Sequence, residues 1–365
     1  MRVGMLYFVG CLLLMQPIIT KSQELNERKY TPRLEYSAYA GALVIHREAM
    51  KGLGNHPYLG QEIRLGFQTT GSDYWHRLYK YPVFGAGVYS GYFNNPAIGN
   101  PFAFFGFIEI PFLRTDKSLL STSWASGVAF HINEYNSITN PENIAIGTDI
   151  NVYIDFSIFY RQQLSERLDM GWGLKFQHFS NGAIQHPNLG LNMVSGLVTL
   201  NFALSPNHPQ FFNPEPEVSD KKFEWNFMYA LGINGKNQEE PDVRYINHTI
   251  SLGINKRVSE KRTLGLGVDV FHNEELKEDI PSGDNIQLSD LLSSAAYASS
   301  DLIIHKFRIA VQLGFYLYRP TDYSLPFYER VAFRYYLTPN LFTNVSIKAH
   351  AAKAQYFEWG LGISF

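Results

Sequence analysis

The chain has 365 residues, which is enough for two ordinary domains or for one large β-structure. Its formal net charge of −2 gives no basis for nucleic-acid binding, so we expect no nucleic acid among its partners. Aromatic residues are frequent, with 27 Phe and 23 Tyr, whereas the sequence holds a single cysteine, Cys11.

The N-terminus has the pattern of a secretory signal peptide. Arg2 is followed by the apolar run 5–19, and small residues stand at Thr20 and Ser22. We expect residues 1–22 to be removed, which leaves no cysteine for disulfides or thiolate metal sites. Beyond Ser22 no apolar run reaches the roughly 18 residues that a membrane-spanning helix needs. An exported chain rich in Tyr, Phe and Gly then favours a transmembrane β-barrel, with a secreted soluble β-sandwich as the alternative.

Eight strands are predicted in the first half of the chain. In 149–160, for example, Ile150, Val152 and Ile154 alternate with polar or aromatic neighbours. Strands of about ten residues can cross a bilayer with tilt, whereas soluble strands average nearer five or six. This length and alternation predict a barrel with lipid outside and polar side chains inside. The predicted strands are 34–46, 60–70, 82–93, 101–112, 119–132, 147–160, 168–180 and 192–204.

A Pro-rich stretch separates these strands from a second β-rich half. The last strand alternates apolar residues up to Phe365 and is similar to the C-terminal signal strand of bacterial outer-membrane proteins. The strands predicted there number seven, and a long polar loop is predicted at 274–301, either without regular structure or with a short extra strand inside it. The sum of fifteen is odd, so we expect 14 or 16 strands in a single barrel. The second-half strands are 222–235, 246–258, 262–273, 302–318, 327–337, 341–351 and 355–365.

Candidate chemistry lies at the end of the seventh predicted strand, which runs outward if the N-terminus is periplasmic. Trp172, Leu174 and Phe176 form an apolar row, and His178 and Ser180 continue that row toward the outer leaflet. A serine and a histidine that face lipid are costly unless they have a function there. In this arrangement the imidazole can take the hydroxyl proton while the hydroxyl attacks an ester. The alternative is that both lie among the lipid head groups, where polar residues cost little and indicate no function.

The residues of this strand end resemble a known family. His-Phe-Ser-Asn at 178–181, followed by Asn188, resembles the His-x-Ser-Asn motif of the lipid A 3-O-deacylases (PagL-type). The resemblance extends to a layout of eight strands that end just after the motif. It implies that Ser180 is the nucleophile and His178 the general base, and that Asn181 and Asn188 help to form the oxyanion hole.

One position departs from the family's pattern. The triad acid would stand at Asn192, which the predicted hairpin brings back beside Ser180 and His178 on the outer surface. An asparagine can orient the histidine, but it cannot stabilise an imidazolium as a carboxylate does. Asp149 and Asp155 have lumen parity and are not expected to substitute. Three explanations stay open: a slow enzyme, an acid supplied from elsewhere in the chain, or a site that only binds lipid.

A second group of polar residues shares lumen parity near the C-terminus. It comprises Lys348, His350 and Glu358, with Arg330 and Arg334 nearby. These residues predict either a second polar site or, as is commoner, a salt-bridge network that plugs the lumen. The sequence contains no H-E-x-x-H zinc pattern and no G-x-S-x-G elbow, so we expect no metal or other cofactor.

Together these features predict an outer-membrane β-barrel of a Gram-negative bacterium that hydrolyses an ester-linked acyl chain of lipopolysaccharide. Its expected partners are lipid A as substrate, the outer-membrane lipids, and the barrel-assembly machinery during biogenesis. The alternative is a non-enzymatic barrel, either a channel or a lipid-binding scaffold with a relict motif. The predicted organisation is a signal peptide at 1–22, deacylase-like strands at 23–204, a Pro-rich connection at 205–221 and C-terminal strands at 222–365.

Overall fold

The computed structural model describes residues 29–54, 56–205, 211, 223–236, 243–280, 285–320 and 325–365. The predicted signal peptide and most of the Pro-rich connection lie outside the described residues. Within them, no helix is long and apolar enough to span a membrane. The helices are α1 (Tyr74–Leu78) and the 3-10 helices Glu48–Leu53, Glu274–Asp279 and Leu288–Leu291.

The strands form two closed antiparallel barrels of eight strands each. Each strand pairs with its neighbours in sequence, β8 pairs back with β1, and β16 pairs back with β9. The first barrel comprises β1 (Tyr30–Leu43), β2 (Pro57–Thr69), β3 (Val83–Tyr92), β4 (Gly99–Arg114), β5 (Ser118–Ile132), β6 (Asn151–Gln163), β7 (Leu168–Ser180) and β8 (Leu191–Ala203). The second comprises β9 (Phe223–Asn234), β10 (Tyr245–Ser259), β11 (Arg262–Asn273), β12 (Leu292–Ile304), β13 (Phe307–Tyr318), β14 (Phe327–Tyr336), β15 (Leu341–His350) and β16 (Lys353–Ser364).

Two sequence-based expectations are corrected. A single barrel was expected, but β1 and β8 pair from Arg33 with Ala203 to Leu43 with Met193, so the first barrel closes before the chain reaches the second half. The predicted strand 302–318 is two strands, and β12 occupies the end of the predicted loop 274–301. Its outward face carries small residues that do not alternate in hydrophobicity with the inward face. These residues are Ser294, Ala296, Ala298 and Ser300.

Both barrels carry apolar side chains outside and polar side chains inside. On the outer surface, Trp172 is 51% exposed, Leu174 66% and Leu361 58%. Inside, charged residues such as Arg64 and Arg330 are almost fully buried. This is the reverse of a water-soluble barrel, and it is the arrangement that is stable when lipid surrounds the strands.

Ion pairs and aromatic rings fill the lumen of the first barrel. Arg64 Nη2 lies 2.9 Å from Glu62 Oε1, and Lys175 Nζ lies 2.9 Å from Glu62 Oε2. Arg161 Nη2 lies 2.6 Å from a carboxylate oxygen of Glu35. Toward the end of the barrel where β7 ends and β8 begins, rings replace the charges in a buried cluster that includes Tyr58, Tyr89, Tyr153 and Phe179.

The lumen of the second barrel is centred on Arg330. Its Nη1 lies 2.6 Å from Asp269 Oδ2, and its Nε lies 2.8 Å from Glu358 Oε2. Lys348 is buried beside these groups, with its Nζ 3.7 Å from the centre of the Phe271 ring. The C-terminal polar residues thus contribute to an interior network of ion pairs and cation–π contacts.

The two barrels lie side by side, and contacts join them at both ends. One contact lies at the end of the barrels where β3 and β13 begin. There Trp75 of α1 stacks on His305, with ring centroids 5.6 Å apart. There the Tyr79 hydroxyl also donates a hydrogen bond to the carbonyl of Ile303. At the opposite end, the loop 181–190 between β7 and β8 meets the second barrel at Gly235. The ends where odd-numbered strands begin are in contact with each other, and so are the ends where they finish. Odd-numbered strands therefore point in the same direction in both barrels.

Arg330→Met should destabilise the protein, because two carboxylates stay buried without their cation. We expect the free energy of unfolding to fall by about 3–5 kcal/mol, measured by urea unfolding in detergent. The control is Arg257→Met, which removes a partly exposed guanidinium 3.0 Å from Glu260 and should cost less than about 1 kcal/mol. Equal unfolding midpoints for the two variants would contradict the prediction.

Candidate active site

Strand alternation places the two reactive side chains of β7 on the outer surface and the residue between them inside. Phe179 is fully buried, and its ring packs 5.3 Å from Tyr153 and 5.8 Å from Tyr89, measured between centroids. This packing fixes the end of β7 in the aromatic cluster of the lumen. His178 and Ser180 therefore project outward from a rigid position.

His178 bonds to both of its predicted partners. Its Nε2 lies 2.9 Å from Ser180 Oγ, and its Nδ1 lies 2.7 Å from Asn192 Oδ1. The strand register explains this, because His178 stands directly opposite Asn192 on β8. Ser180 is only 7% exposed although it lies on the outer face of the barrel. The geometry is that of a serine, a histidine and an orienting side chain in series.

A residue that sequence reasoning missed extends this series. His46 lies just beyond β1, with its Nδ1 3.2 Å from Asn192 Nδ2 and its Nε2 3.2 Å from the Leu189 carbonyl. His46 Nδ1 also lies 3.3 Å from the Val44 carbonyl. With the Asn192 oxygen turned to His178, its Nδ2 can only donate, so we assign His46 Nδ1 as the acceptor and Nε2–H as the donor to Leu189. His46 thereby turns the Asn192 oxygen toward His178. The proximity of His46 to Asn192 could have been inferred if closure of the barrel between β1 and β8 had been known.

The loop 181–190 brings the other two predicted residues together. The backbone N–H of Asn181 donates to Asn188 Oδ1 at 3.0 Å, which leaves the Asn188 Nδ2 group as a donor beside the serine loop. Asn181 Nδ2 donates to the Gln185 carbonyl at 2.9 Å. The Asn181 side chain therefore braces the loop, and the Asn181 backbone fixes the orientation of the Asn188 amide.

Close approach of the loop to the histidine depends on Gly190. It has φ +77°, and a Cβ there would lie 2.7 Å from His178 Cε1. Its N–H donates to the Ala145 carbonyl at 2.9 Å, which ties the loop to the segment between β5 and β6. A side chain at position 190 would thus displace the imidazole and strain the backbone at once.

No carboxylate bonds to His178 among the residues that the structure describes. Asp155 lies inside the first barrel and bonds to Lys175, and Asp149 accepts the backbone N–H of His131 at 3.0 Å. Nor does any group of three or more His, Cys, Asp or Glu within those residues form a metal-binding cluster. The histidine is oriented by a neutral amide rather than by an acid.

Two family models match the chain. Residues 61–201 match lipid A 3-O-deacylase (PagL), and residues 223–365 match the acyloxyacyl hydrolase C-terminal domain. No curated protein sequence matches it.

Solved porins and channels are also similar over much of the chain. A triple mutant of Rhodopseudomonas blastica porin is 7% identical, covers 92% of this chain and 100% of its own, and has a TM-score of 0.17. A deltaS2 mutant of the TodX monoaromatic hydrocarbon channel is 8% identical over 92% of this chain and 89% of its own, with a TM-score of 0.19. Similarity at this level supports no conclusion about fold details or function.

Ser180 should react with a fluorophosphonate probe, because the imidazole can accept its proton. His178→Ala should lower the labelling rate by about 10²–10⁴-fold, followed by mass spectrometry of the labelled peptide. Ser126, which faces outward on β5, serves as the internal control and should stay unlabelled. Equal labelling of the wild type and His178→Ala would show that the serine is not activated.

Proposed function

This chain belongs to the lipid A 3-O-deacylase (PagL-type) family, and we propose that it removes an ester-linked acyl chain from lipid A by a serine–histidine mechanism. The observation that carries the proposal is the 2.9 Å contact between His178 Nε2 and Ser180 Oγ on the outer face of the barrel. A nucleophile on this face meets substrate that resides in the membrane. The reaction is therefore carboxylic-ester hydrolysis at the outer leaflet of the outer membrane.

Ser180 and His178 divide the chemistry between them. Ser180 Oγ attacks the ester carbonyl carbon while His178 Nε2 takes the hydroxyl proton, and a tetrahedral oxyanion forms. Collapse of this intermediate breaks the ester bond, and the imidazolium returns the proton to the departing sugar oxygen. Water then attacks the acyl-enzyme with the same histidine as base, which releases the fatty acid and restores Ser180.

The oxyanion is stabilised by the amide of Asn188. Its Oδ1 is engaged by the Asn181 N–H at 3.0 Å, which fixes the orientation of its Nδ2 donor before the substrate arrives. A donor that needs no reorganisation contributes most when charge develops in a site sheltered from water. Asn181 acts through the loop, by holding Gln185, rather than by contact with the substrate.

Asn192 and His46 together replace the triad acid. Loss of the carboxylate in a serine protease triad costs about 10⁴ in kcat, largely because the histidine takes the wrong tautomer. Here the His46–Asn192 bond at 3.2 Å keeps the amide oxygen toward His178, so Nδ1–H is the favoured tautomer. The tautomer is thereby preserved, while the electrostatic stabilisation of the imidazolium is lost. We infer an enzyme that is active but slower than one with an acid.

The surroundings of the site suit a substrate with one polar and one apolar end. Below Ser180, the exposed row of Phe176, Leu174 and Trp172 lies level with the acyl chains. Above it, the loop 181–190 carries polar groups at the level of the head groups. Water reaches the serine from the head-group side, while the acyl chain stays in lipid, so no deep pocket is required.

A filled interior argues against the channel alternative. The described inward side chains of both barrels form ion-pair networks, around Arg161 and Lys175 in the first and around Arg330 in the second. A porin keeps a water-filled lumen instead. The alternating last strand, β16, fits recognition by the barrel-assembly machinery, and outer-membrane lipids remain the expected surroundings.

Replacing Ser180 by Ala should abolish deacylation. Mass spectrometry of extracted lipid A should show one acyl chain fewer in cells that express the wild type than in cells that express Ser180→Ala. The matched control is Ser126→Ala, which removes another outward-facing hydroxyl and should behave as the wild type. Identical lipid A in cells with the wild type, Ser180→Ala or no enzyme would refute the proposal.

The neutral relay predicts a coupling between His46 and Asn192. His46→Ala should lower kcat by about tenfold, because the Asn192 amide is then free to turn its Nδ2 toward His178. Asn192→Asp should raise kcat by about tenfold, because a carboxylate stabilises the imidazolium. In the N192D background, His46→Ala should have little effect, because both oxygens of a carboxylate accept. Equal effects of His46→Ala in both backgrounds would contradict this role of His46.

A further inference from the structure

The loop 181–190 of the first barrel rests directly on the second barrel. Gly182, two residues after the serine, lies so close to the Phe357 ring of β16 that a Cβ on Gly182 would overlap it. Phe357 belongs to the outward row of its strand, and its ring centroid lies 6.1 Å from that of Trp359, the next residue of the row. An aromatic side chain of the second barrel therefore packs against the backbone beside the nucleophile.

Two hydrogen bonds fix the next residues of the loop. The N–H of Gly235, just after β9, donates to the Ala183 carbonyl at 3.0 Å. Ala183 has φ 69°, a conformation that is unfavourable for an L-residue and persists only where its surroundings hold it. Arg244, just before β10, donates from Nη2 to Gln185 Oε1 at 2.7 Å. The second barrel thus binds three consecutive parts of the loop.

The same loop residues lead to the oxyanion donor. Gln185, held by Arg244 through its side chain, accepts the Asn181 Nδ2–H through its carbonyl at 2.9 Å. Asn181 in turn donates its backbone N–H to Asn188 Oδ1 at 3.0 Å. A continuous series of bonds therefore runs from Arg244 on the second barrel to the Asn188 amide beside the serine.

His186 lies in the same contact. Burial, and secondarily the charge of Lys353 on the second barrel, lowers the pKa of His186. Gly235 also approaches the loop closely, because a Cβ on it would lie 3.0 Å from the Ile184 carbonyl. The contact therefore involves most residues from Gly182 to His186, and it is closely packed rather than incidental.

We propose that the second barrel is a structural part of the active site, in which Phe357, Gly235 and Arg244 form a clamp that holds the loop 181–190 in its catalytic conformation. Phe357 and Arg244 are positioning residues, since they act through the loop and not on the substrate. This inference rests on the proposed function, because it assigns the loop an oxyanion donor. It also gives the second barrel a role in the reaction although the nucleophile and base lie on the first.

The test compares Phe357→Ala and Arg244→Gln with the wild type in detergent-solubilised full-length protein. Loss of the clamp should lower kcat for lipid A deacylation by about 10–100-fold with little change in KM, because a displaced oxyanion donor weakens only the transition state. Phe357→Leu, which keeps an apolar side chain of similar reach, should recover most of the rate. Phe333→Ala is the matched control, because Phe333 is an equally outward ring on β14, and it should leave kcat unchanged.

Hydrogen exchange of the peptide that covers 181–190 provides a second readout that does not depend on activity. Exchange should accelerate in Phe357→Ala and Arg244→Gln and stay unchanged in Phe333→Ala. Heat-modified gel migration identifies folded barrels, and if Phe357→Ala does not fold, Arg244→Gln carries the test. Wild-type kcat and wild-type exchange in the folded variants would overturn the clamp. A wild type that is inactive on lipid A, but whose loop loosens in these variants, would overturn the deacylase function while supporting the clamp.

Discussion

Lipid around a closed barrel imposes one constraint on every strand: outward side chains must be apolar and inward polar groups must find partners inside. Buried pairs such as Arg330 with Asp269, and Lys175 with Glu62, follow from it, because these side chains are shielded from solvent inside the barrels. His178 and Ser180 break the rule, since they face outward at the end of an apolar row. They are tolerated because they bond to each other and lie under a polar loop. These outward-facing polar side chains thus lie at one end of the barrel, where β7 ends.

The same constraint offers a physical reason for an amide in the acid position. A carboxylate at position 192 would lie on the outer surface, where an approaching acyl substrate removes water, and an unpaired charge is costly there. Asn192 avoids that cost and still accepts the Nδ1–H of His178, provided that its oxygen points the right way. The hydrogen bond between His46 Nδ1 and Asn192 Nδ2 holds the amide in that orientation, and neither group carries a charge. Orientation is retained without introducing a charge, at the expense of electrostatic stabilisation of the imidazolium.

Much of this architecture could be predicted from local alternation, and the rest depends on long-range pairing. The strand predicted at 168–180 is confirmed as β7, because its row from Trp172 to Phe176 alternates clearly. β12 was anticipated only as an optional short strand within 274–301, because its outer face carries Ser and Ala, whose size and polarity give no period. Closure of the first barrel at β8 could not be read from any segment, because it depends on which strands meet in space. His46 was missed for the same reason, as its partner Asn192 lies 146 residues away.

The loop 181–190, which carries the proposed oxyanion donor, has an unfavourable backbone conformation, and contacts with the second barrel help to hold it. In the segment between β7 and β8, Gly182 and Gly190 take positive φ without strain, but Ala183 at φ 69° is in an unfavourable conformation that its surroundings must hold. The first barrel holds the far end of this segment through Ala145 and His46, whereas Ala183 lies at the end that faces the second barrel. That residue is bonded by Gly235 of the second barrel. The unfavourable backbone beside Ser180 is thus held by contacts from both barrels, and under the proposed mechanism this gives the second barrel a role in a reaction whose nucleophile and base lie on the first.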